Sequence, residues 1–222
     1  MEFLANKFVI FAILYVVGIT AESITGTISA GRKNMDVFGV ITIATITALG
    51  GGTVRDILLG YYPLTWIAYP QYIIITFAAS VAAMLVIQHV VRLHKFFLIV
   101  DALGLVTFAY IGSDIGYKIA IHTVSSEHLA FIGTVVIAMI MAIITGISGG
   151  VLRDILCNDV PLVFHAELYA VVAAIVGVLH ALTLYISLDN LITAVLIVAV
   201  GFILRLLAIF KNWHLPKMKQ LL

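Results

Sequence analysis

Two pairs of charged residues stand in the same frame of an otherwise apolar chain. Arg55-Asp56 and Arg153-Asp154 lie ninety-eight residues apart, each inside a long hydrophobic stretch. Gly50, Gly51 and Gly52 precede the first pair. Gly149 and Gly150 precede the second, with Ser148 where a third glycine would stand. An arginine deep in a bilayer costs at least about 2.5–3.5 kcal/mol, so it must face protein or water. Neighbouring residues on a helix do not face each other. The expected partners therefore lie across a pseudo-twofold axis, Arg55 with Asp154 and Arg153 with Asp56. Such pairs can lock two helices together, and they can line or gate a pathway.

The surroundings require a membrane. Of 222 residues, 63% are apolar and 10% charged, with a mean hydropathy of +1.20. Soluble domains run near half apolar and a quarter charged. A net charge of +1 gives nucleic acid nothing to bind. The single cysteine, Cys157, excludes an internal disulfide framework and reads as a packing residue near a helix end. The N-terminal stretch lacks a basic leader region, so it reads as a first transmembrane helix.

Seven stretches are long enough to cross a bilayer core, which takes about 20 residues. They run over residues 8–30, 37–59, 71–91, 96–117, 128–156, 166–187 and 191–210. If they alternate in direction, Arg32, Lys33, Arg92, Lys95, Lys211, Lys217 and Lys219 fall on one side. Lys7 and Lys118 fall on the other, while Arg55, Arg153 and Arg205 lie within spans. The positive-inside bias then puts the N-terminus outside and the C-terminal tail in the cytoplasm. The plasma (inner) membrane is the expected location.

Aligning Gly51–Leu64 with Gly149–Leu162 gives identity at eight of fourteen positions. Gly18 and Gly26 in the first span are echoed by Gly104 and Gly112 in the fourth. The chain divides accordingly into a three-helix unit (1–95), a second and inverted three-helix unit (96–188), and a seventh helix with its tail (189–222). Inverted repeats of this kind are a transport-protein plan, with a pathway at the repeat interface.

Glycine clusters inside helices invite a break, so the second and fifth spans are expected to be broken there. Thr53 in "TVRD" fits a capping box opening a second half-helix, with Asp56 in its first turn. Carbonyls at such breaks could serve as ion ligands. Glu22 and Asp101 are intramembrane acids, candidates for attracting cations or binding a proton. Asp101 is placed to reach interfacial water or Lys95. His180 reads as a packing residue. His89, His94 and His128 lack metal-site spacing. Tyr61, Tyr62, Trp66 and Tyr69 read as an interfacial aromatic belt. No nucleophile with a nearby base stands out, so neither an enzyme nor a cofactor is expected.

The doubled motif, with "AGRKNMDVFGV" and "DALGLVTFAYIG" elsewhere in the chain, resembles the prokaryotic branch of the trimeric intracellular cation channel family. That branch was earlier catalogued as a membrane family built from two "glycine transporter" domains. The resemblance implies a homotrimer of seven-span protomers, each with its own pathway for potassium and other monovalent cations. It places Gly50, Gly51, Gly52 and Arg55 on one side of the pore, and Gly149, Gly150 and Arg153 on the other. The lysine of the animal motif that binds inositol lipid has no counterpart in "GGGTVRD". An arginine repels a permeant cation, so either Asp56 and Asp154 neutralise the arginines or the arginines sit just outside the narrowest point. A secondary transporter of a small solute such as glycine is the alternative, because the fold plan alone does not separate the two.

Overall fold

The structure is a computed structural model describing residues 2–90, 94–124, 130–164 and 168–213. Side chains are described from residue 9 onward and, in the fourth helix, up to residue 86. Arg92, His128, Lys217 and Lys219 lie outside the described residues, as do the side chains of Lys7 and His89.

The described residues form helices throughout: α1 (Glu2–Arg32), α2 (Val37–Leu59), a short α3 (Thr65–Ala68), α4 (Gln71–Val90), α5 (His94–Thr123), α6 (Ala130–Leu156), α7 (Tyr169–Tyr185) and α8 (Leu191–Lys211), with a 3-10 turn at Leu162–Phe164. Five of them, α1, α2, α5, α6 and α8, are long and apolar enough to cross a membrane; α4 and α7 are shorter apolar helices. The protein is an all-helical integral membrane protein.

Helix α5 is the centre post and packs against α1, α6, α7 and α8. The outward faces carry large apolar side chains such as Phe38, Leu85 and Ile192, more than two-thirds exposed. That is stable only against lipid, since no water-soluble surface tolerates so large an apolar area.

The turns show why the repeat ends as it does. Asp36 caps α2 by accepting the Gly39 N–H at 2.7 Å. At the far end Gly60 adopts a left-handed φ of 63° and Tyr61 N–H returns to the Asp56 carbonyl. The equivalent residue after α6 is Asn158, at φ 55°, with Asp159 N–H returning to the Asp154 carbonyl. Glycine and asparagine are the residues that accept this geometry, so the repeat is conserved in backbone where it differs in letters. Nothing lies within 4 Å of a methyl group placed at Gly60. Gly60→Ala therefore pays only the left-handed strain of about 1–2 kcal/mol, to be read as a lowered apparent melting temperature with unchanged helix content.

The expected breaks are not present. Both α2 and α6 run as continuous helices through their glycines. Thr53 does not cap anything: its hydroxyl donates to the Leu49 carbonyl within α2 and accepts from Trp66 Nε1. Ser148 likewise donates to the Ile144 carbonyl within α6. The glycines are spent on close approach instead. A methyl at Gly51 would overlap the Thr145 carbonyl oxygen, and one at Gly149 would overlap the Thr47 carbonyl oxygen. Small residues letting helix backbones touch is how membrane helices associate. With no break there are no freed carbonyls at these positions to act as ion ligands.

Candidate functional site

Each Arg-Asp pair sits in the last turn or so of its helix. There a carboxylate opposes the helix dipole and needs a cation and N–H donors to be stable. Both ends supply them in the same way. Arg55 reaches its own neighbour, donating from Nε and Nη2 to Asp56 Oδ1 at 2.9 and 2.6 Å. Arg153 Nε donates to Asp154 Oδ1 at 2.8 Å. The second oxygen of each aspartate catches the chain returning after the helix. Asp56 Oδ2 accepts from Thr65 N–H and hydroxyl at 2.7 and 2.8 Å, and Asp154 Oδ2 accepts from Leu162 N–H at 2.9 Å. The motif is a staple holding the following segment.

This corrects the pairing expected across the pseudo-twofold. Arg55 does not meet Asp154, and Arg153 does not meet Asp56. The hundred-degree offset between neighbours limits short side chains, whereas the long arginine stem curls back along the helix. All four charges are nearly or completely buried.

Between the staples lies the α2–α6 seam of Thr47, Gly51, Thr145 and Gly149. Helices α1 and α5 flank it alike: a methyl at Gly26 would press on the Thr47 hydroxyl, and one at Gly112 on the Thr145 hydroxyl. Gly50 faces Leu152 and Gly149. Gly52 faces the Tyr15 hydroxyl and Arg55; Gly150 faces the Tyr169 hydroxyl and Arg153.

The two ends differ in charge. Tyr15 and Asp101 stand eighty-six residues apart, as Gly18 and Gly104 do, and so do Glu22 and Phe108. At the Arg55 end the positions hold Tyr15 and, against Gly18, the Phe108 ring. At the Arg153 end they hold acids. Asp101 Oδ1 accepts from Arg153 Nη1 at 2.8 Å, not from Lys95, which lies over the Phe210 ring. Glu22 Oε2 is 3.9 Å from Arg153 Nη1 and accepts from the Thr25 hydroxyl. Phe97 lies under the Arg153 guanidinium at 4.8 Å, and Arg205 over the Tyr169 ring at 4.8 Å. Glu22 Oε1, Asp101 Oδ2, Arg153 Nη2 and the Tyr169 hydroxyl are buried without a hydrogen-bond partner. Gly104 makes room for the Glu22 carboxyl, whose oxygen a methyl there would overlap, whereas a methyl at Gly18 meets only ring and methyl carbons at 3.3 Å. Gly104→Ala should therefore lower the apparent melting temperature clearly more than Gly18→Ala. Glu22→Ala should relieve the Gly104→Ala defect in the double variant.

Two clefts border the staples. One of about 460 Å³ reaches Thr65 at the Arg55 end, and one of about 270 Å³ reaches Asp154, Arg32 and His94 at the Arg153 end. Near the second, Lys33 bonds Asp159 at 2.7 Å. Cys157 is buried there beside Ala30 and Ile43, and burial pushes its thiol up. Among the described residues no cluster of ligating side chains fit for a metal ion occurs. His180 packs under the Tyr110 ring at 3.9 Å.

Known proteins resemble this chain over most of its length. A family profile described as "Glycine transporter" matches residues 12–88 and again 98–185. The inner membrane protein YadS of Escherichia coli is 34% identical over 91% of this chain and 92% of its own length. A solved structure described under conductance through TRIC cation channels is 34% identical, with a TM-score of 0.76 over 94% of this chain and 97% of that one. The chain belongs to the TRIC family. A trimeric intracellular cation channel orthologue from Rhodobacter sphaeroides, another TRIC structure, superposes at a TM-score of 0.80 with 25% identity, over 91% of this chain and 98% of its own.

Several residues of this candidate site escape a reading of the motif alone. Thr47 and Thr145 share the ninety-eight-residue spacing and would have been found by extending the alignment four residues backward. Tyr15 was accessible through the eighty-six-residue spacing. Thr65 and Tyr169 carried no signal, since their roles depend on where the chain returns.

Proposed function

We propose that the protein conducts monovalent cations, potassium preferentially, along the α2–α6 seam within each protomer of a homotrimer. The observation that carries this is the whole-chain likeness to TRIC cation channels together with the clefts that meet the staples from either end. Gly50, Gly51 and Gly149 line the seam, and Gly52 and Gly150 face the arginines at its two ends. Arg55 with Asp56, and Arg153 with Asp154, close its two ends.

The geometry supports the proposal electrostatically. A bare arginine would repel a passing cation by about 4 kcal/mol at 4 Å in a partly polar setting. Each arginine here is matched by its neighbouring aspartate, so the barrier is lowered without removing the gate. Glu22 and Asp101 then make the Arg153 end the more attractive to cations. In our reading that end faces the cytoplasm and the N-terminus lies outside. The chain then divides at 95 and 188 into two inverted units and a last helix.

Proteoliposomes test the proposal. Potassium-loaded vesicles bearing the protein should develop a potassium diffusion potential that neutral ionophore controls reproduce, with no saturable uptake of labelled glycine. Saturable glycine uptake without that potential would replace the channel reading by the transporter one, which the family profile's description favours.

A further inference from the structure

The two ends of the seam carry a phenylalanine at the same place in the repeat. Phe11 and Phe97 stand eighty-six residues apart, the spacing that relates Gly18 to Gly104, and each lines the cleft at its own end. Phe11 is half-buried and stacks on Tyr15 at 6.3 Å, the ring whose hydroxyl faces Gly52. The second unit has Asp101 at the position of Tyr15, and Phe97 there rests on charge. The Arg153 guanidinium lies 4.8 Å from its ring centroid and the Arg32 guanidinium 5.0 Å. Both are within the roughly 6 Å over which a ring face attracts a cation. His94, one turn earlier on α5, stacks alongside at 6.5 Å.

Phe97 is only 4% exposed although it borders the cleft of about 270 Å³, so it forms part of the cleft floor. Ile28, Leu98, Ala102 and Ile209 are buried with it. Leu162 packs on the same apolar cluster and also lines the cleft, where Asp154 holds its N–H. Beneath the floor lies the charge. Asp101, one turn further along α5, is bonded to Arg153, with Glu22 close by. Helix α1 shows the same change with depth. Arg32 and Ser29 line the cleft, whereas Thr25, one turn deeper, is fully buried and bonded to Glu22 at 3.1 Å. An apolar floor between a polar cleft and buried acids is a constriction of the kind that gates by excluding water.

We propose that Phe97 is the gate at the Arg153 end. Its ring, held by the Arg32 and Arg153 guanidiniums, keeps water and cations in the cleft away from Asp101 and Glu22. It swings aside when the seam conducts. The gating role rests on the conduction reading, whereas the seal is a property of the fold and can be tested without current.

Thiol accessibility in the purified, detergent-solubilised protein tests the seal. Cys157, the single cysteine of the chain, is replaced by alanine, and Ser29→Cys or Thr25→Cys then supplies one thiol above or below the floor. The probe is 2-aminoethyl methanethiosulfonate, a small cation. Ser29→Cys should react about a hundredfold faster than Thr25→Cys, because the deeper thiol reacts only during local opening. Adding Phe97→Ala should speed Thr25→Cys about tenfold or more. Phe97→Tyr, which keeps the ring, should leave that rate within about twofold, and Phe97→Leu should raise it severalfold. Should Phe97→Ala fail to fold, equal rates in the leucine and tyrosine variants would overturn the proposal. So would a Thr25→Cys rate that Phe97→Ala leaves unmoved, or one that matches Ser29→Cys with Phe97 in place. In planar bilayers Phe97→Ala should raise the open probability about threefold or more, and a conducting channel with unchanged open probability would overturn the gate. A silent wild-type bilayer with the labelling pattern intact would count against conduction and leave the seal standing.

Discussion

Arg153→Gln should destabilise the protein by about 3–5 kcal/mol, the cost of removing one partner from a buried ion pair. The size follows from what would be left behind. Asp101 and Asp154 each accept from Arg153 at 2.8 Å, and Glu22 lies 3.9 Å away. All three acids are buried, so glutamine would strand Asp101 and Asp154, the two carboxylates bonded to Arg153, in a low-dielectric interior beside Glu22. Arg55→Gln should cost less, because only Asp56 loses its cation, and Asp56 keeps the Thr65 N–H and hydroxyl. The double variant Arg153→Gln with Asp101→Asn should recover part of the loss, since it removes one stranded charge. Denaturant titration of the folded fraction in mixed micelles measures all three. Equal losses at Arg55 and Arg153 would contradict the difference in charge between the two ends.

Gly51→Ala and Gly149→Ala should each cost about 1–3 kcal/mol, the usual penalty for overpacking. Alanine is the better helix former by about 1 kcal/mol, so a loss must come from contact. Each added methyl would overlap a carbonyl oxygen of the facing helix, Thr145 for Gly51 and Thr47 for Gly149. Backbone cannot swing aside as a side chain can, so α2 and α6 must separate. Gly52→Ala is the control: its methyl meets only the Tyr15 hydroxyl and Arg55 Nη2, at 3.2 and 3.6 Å. That variant should be neutral or slightly stabilising. Thermal unfolding of the three variants in one detergent gives the comparison.

Much of this molecule was legible in its sequence, at the level where membrane physics is strict. Apolar length and spacing led to the helices because a bilayer tolerates little else. Spacings of ninety-eight and eighty-six residues led to a doubled plan. The errors lie where two physical solutions share one pattern. A glycine cluster can break a helix or let another helix touch it, and only the Thr47 and Thr145 carbonyls facing Gly149 and Gly51 decide for contact. An Arg-Asp dipeptide can pair outward or with itself, and the choice depends on where the returning Thr65 and Leu162 backbones offer N–H groups. That information is tertiary. Asp101 is legible as an intramembrane acid, but its partner is not, because Arg153 is fifty-two residues away on another helix.

The central claim is a cation pathway along the α2–α6 seam, and single-channel recording tests it most directly. Wild-type protein in a planar bilayer under a potassium chloride gradient should give discrete current steps that reverse near the potassium potential. Gly51→Ala and Gly149→Ala should change the unitary conductance, while Gly52→Ala should leave it within about twofold, since its methyl leaves the seam undisturbed. Steps reversing at the chloride potential, or no steps from protein shown to be folded, would contradict the account. Unitary currents unchanged by the two seam substitutions would place the pathway elsewhere in the fold.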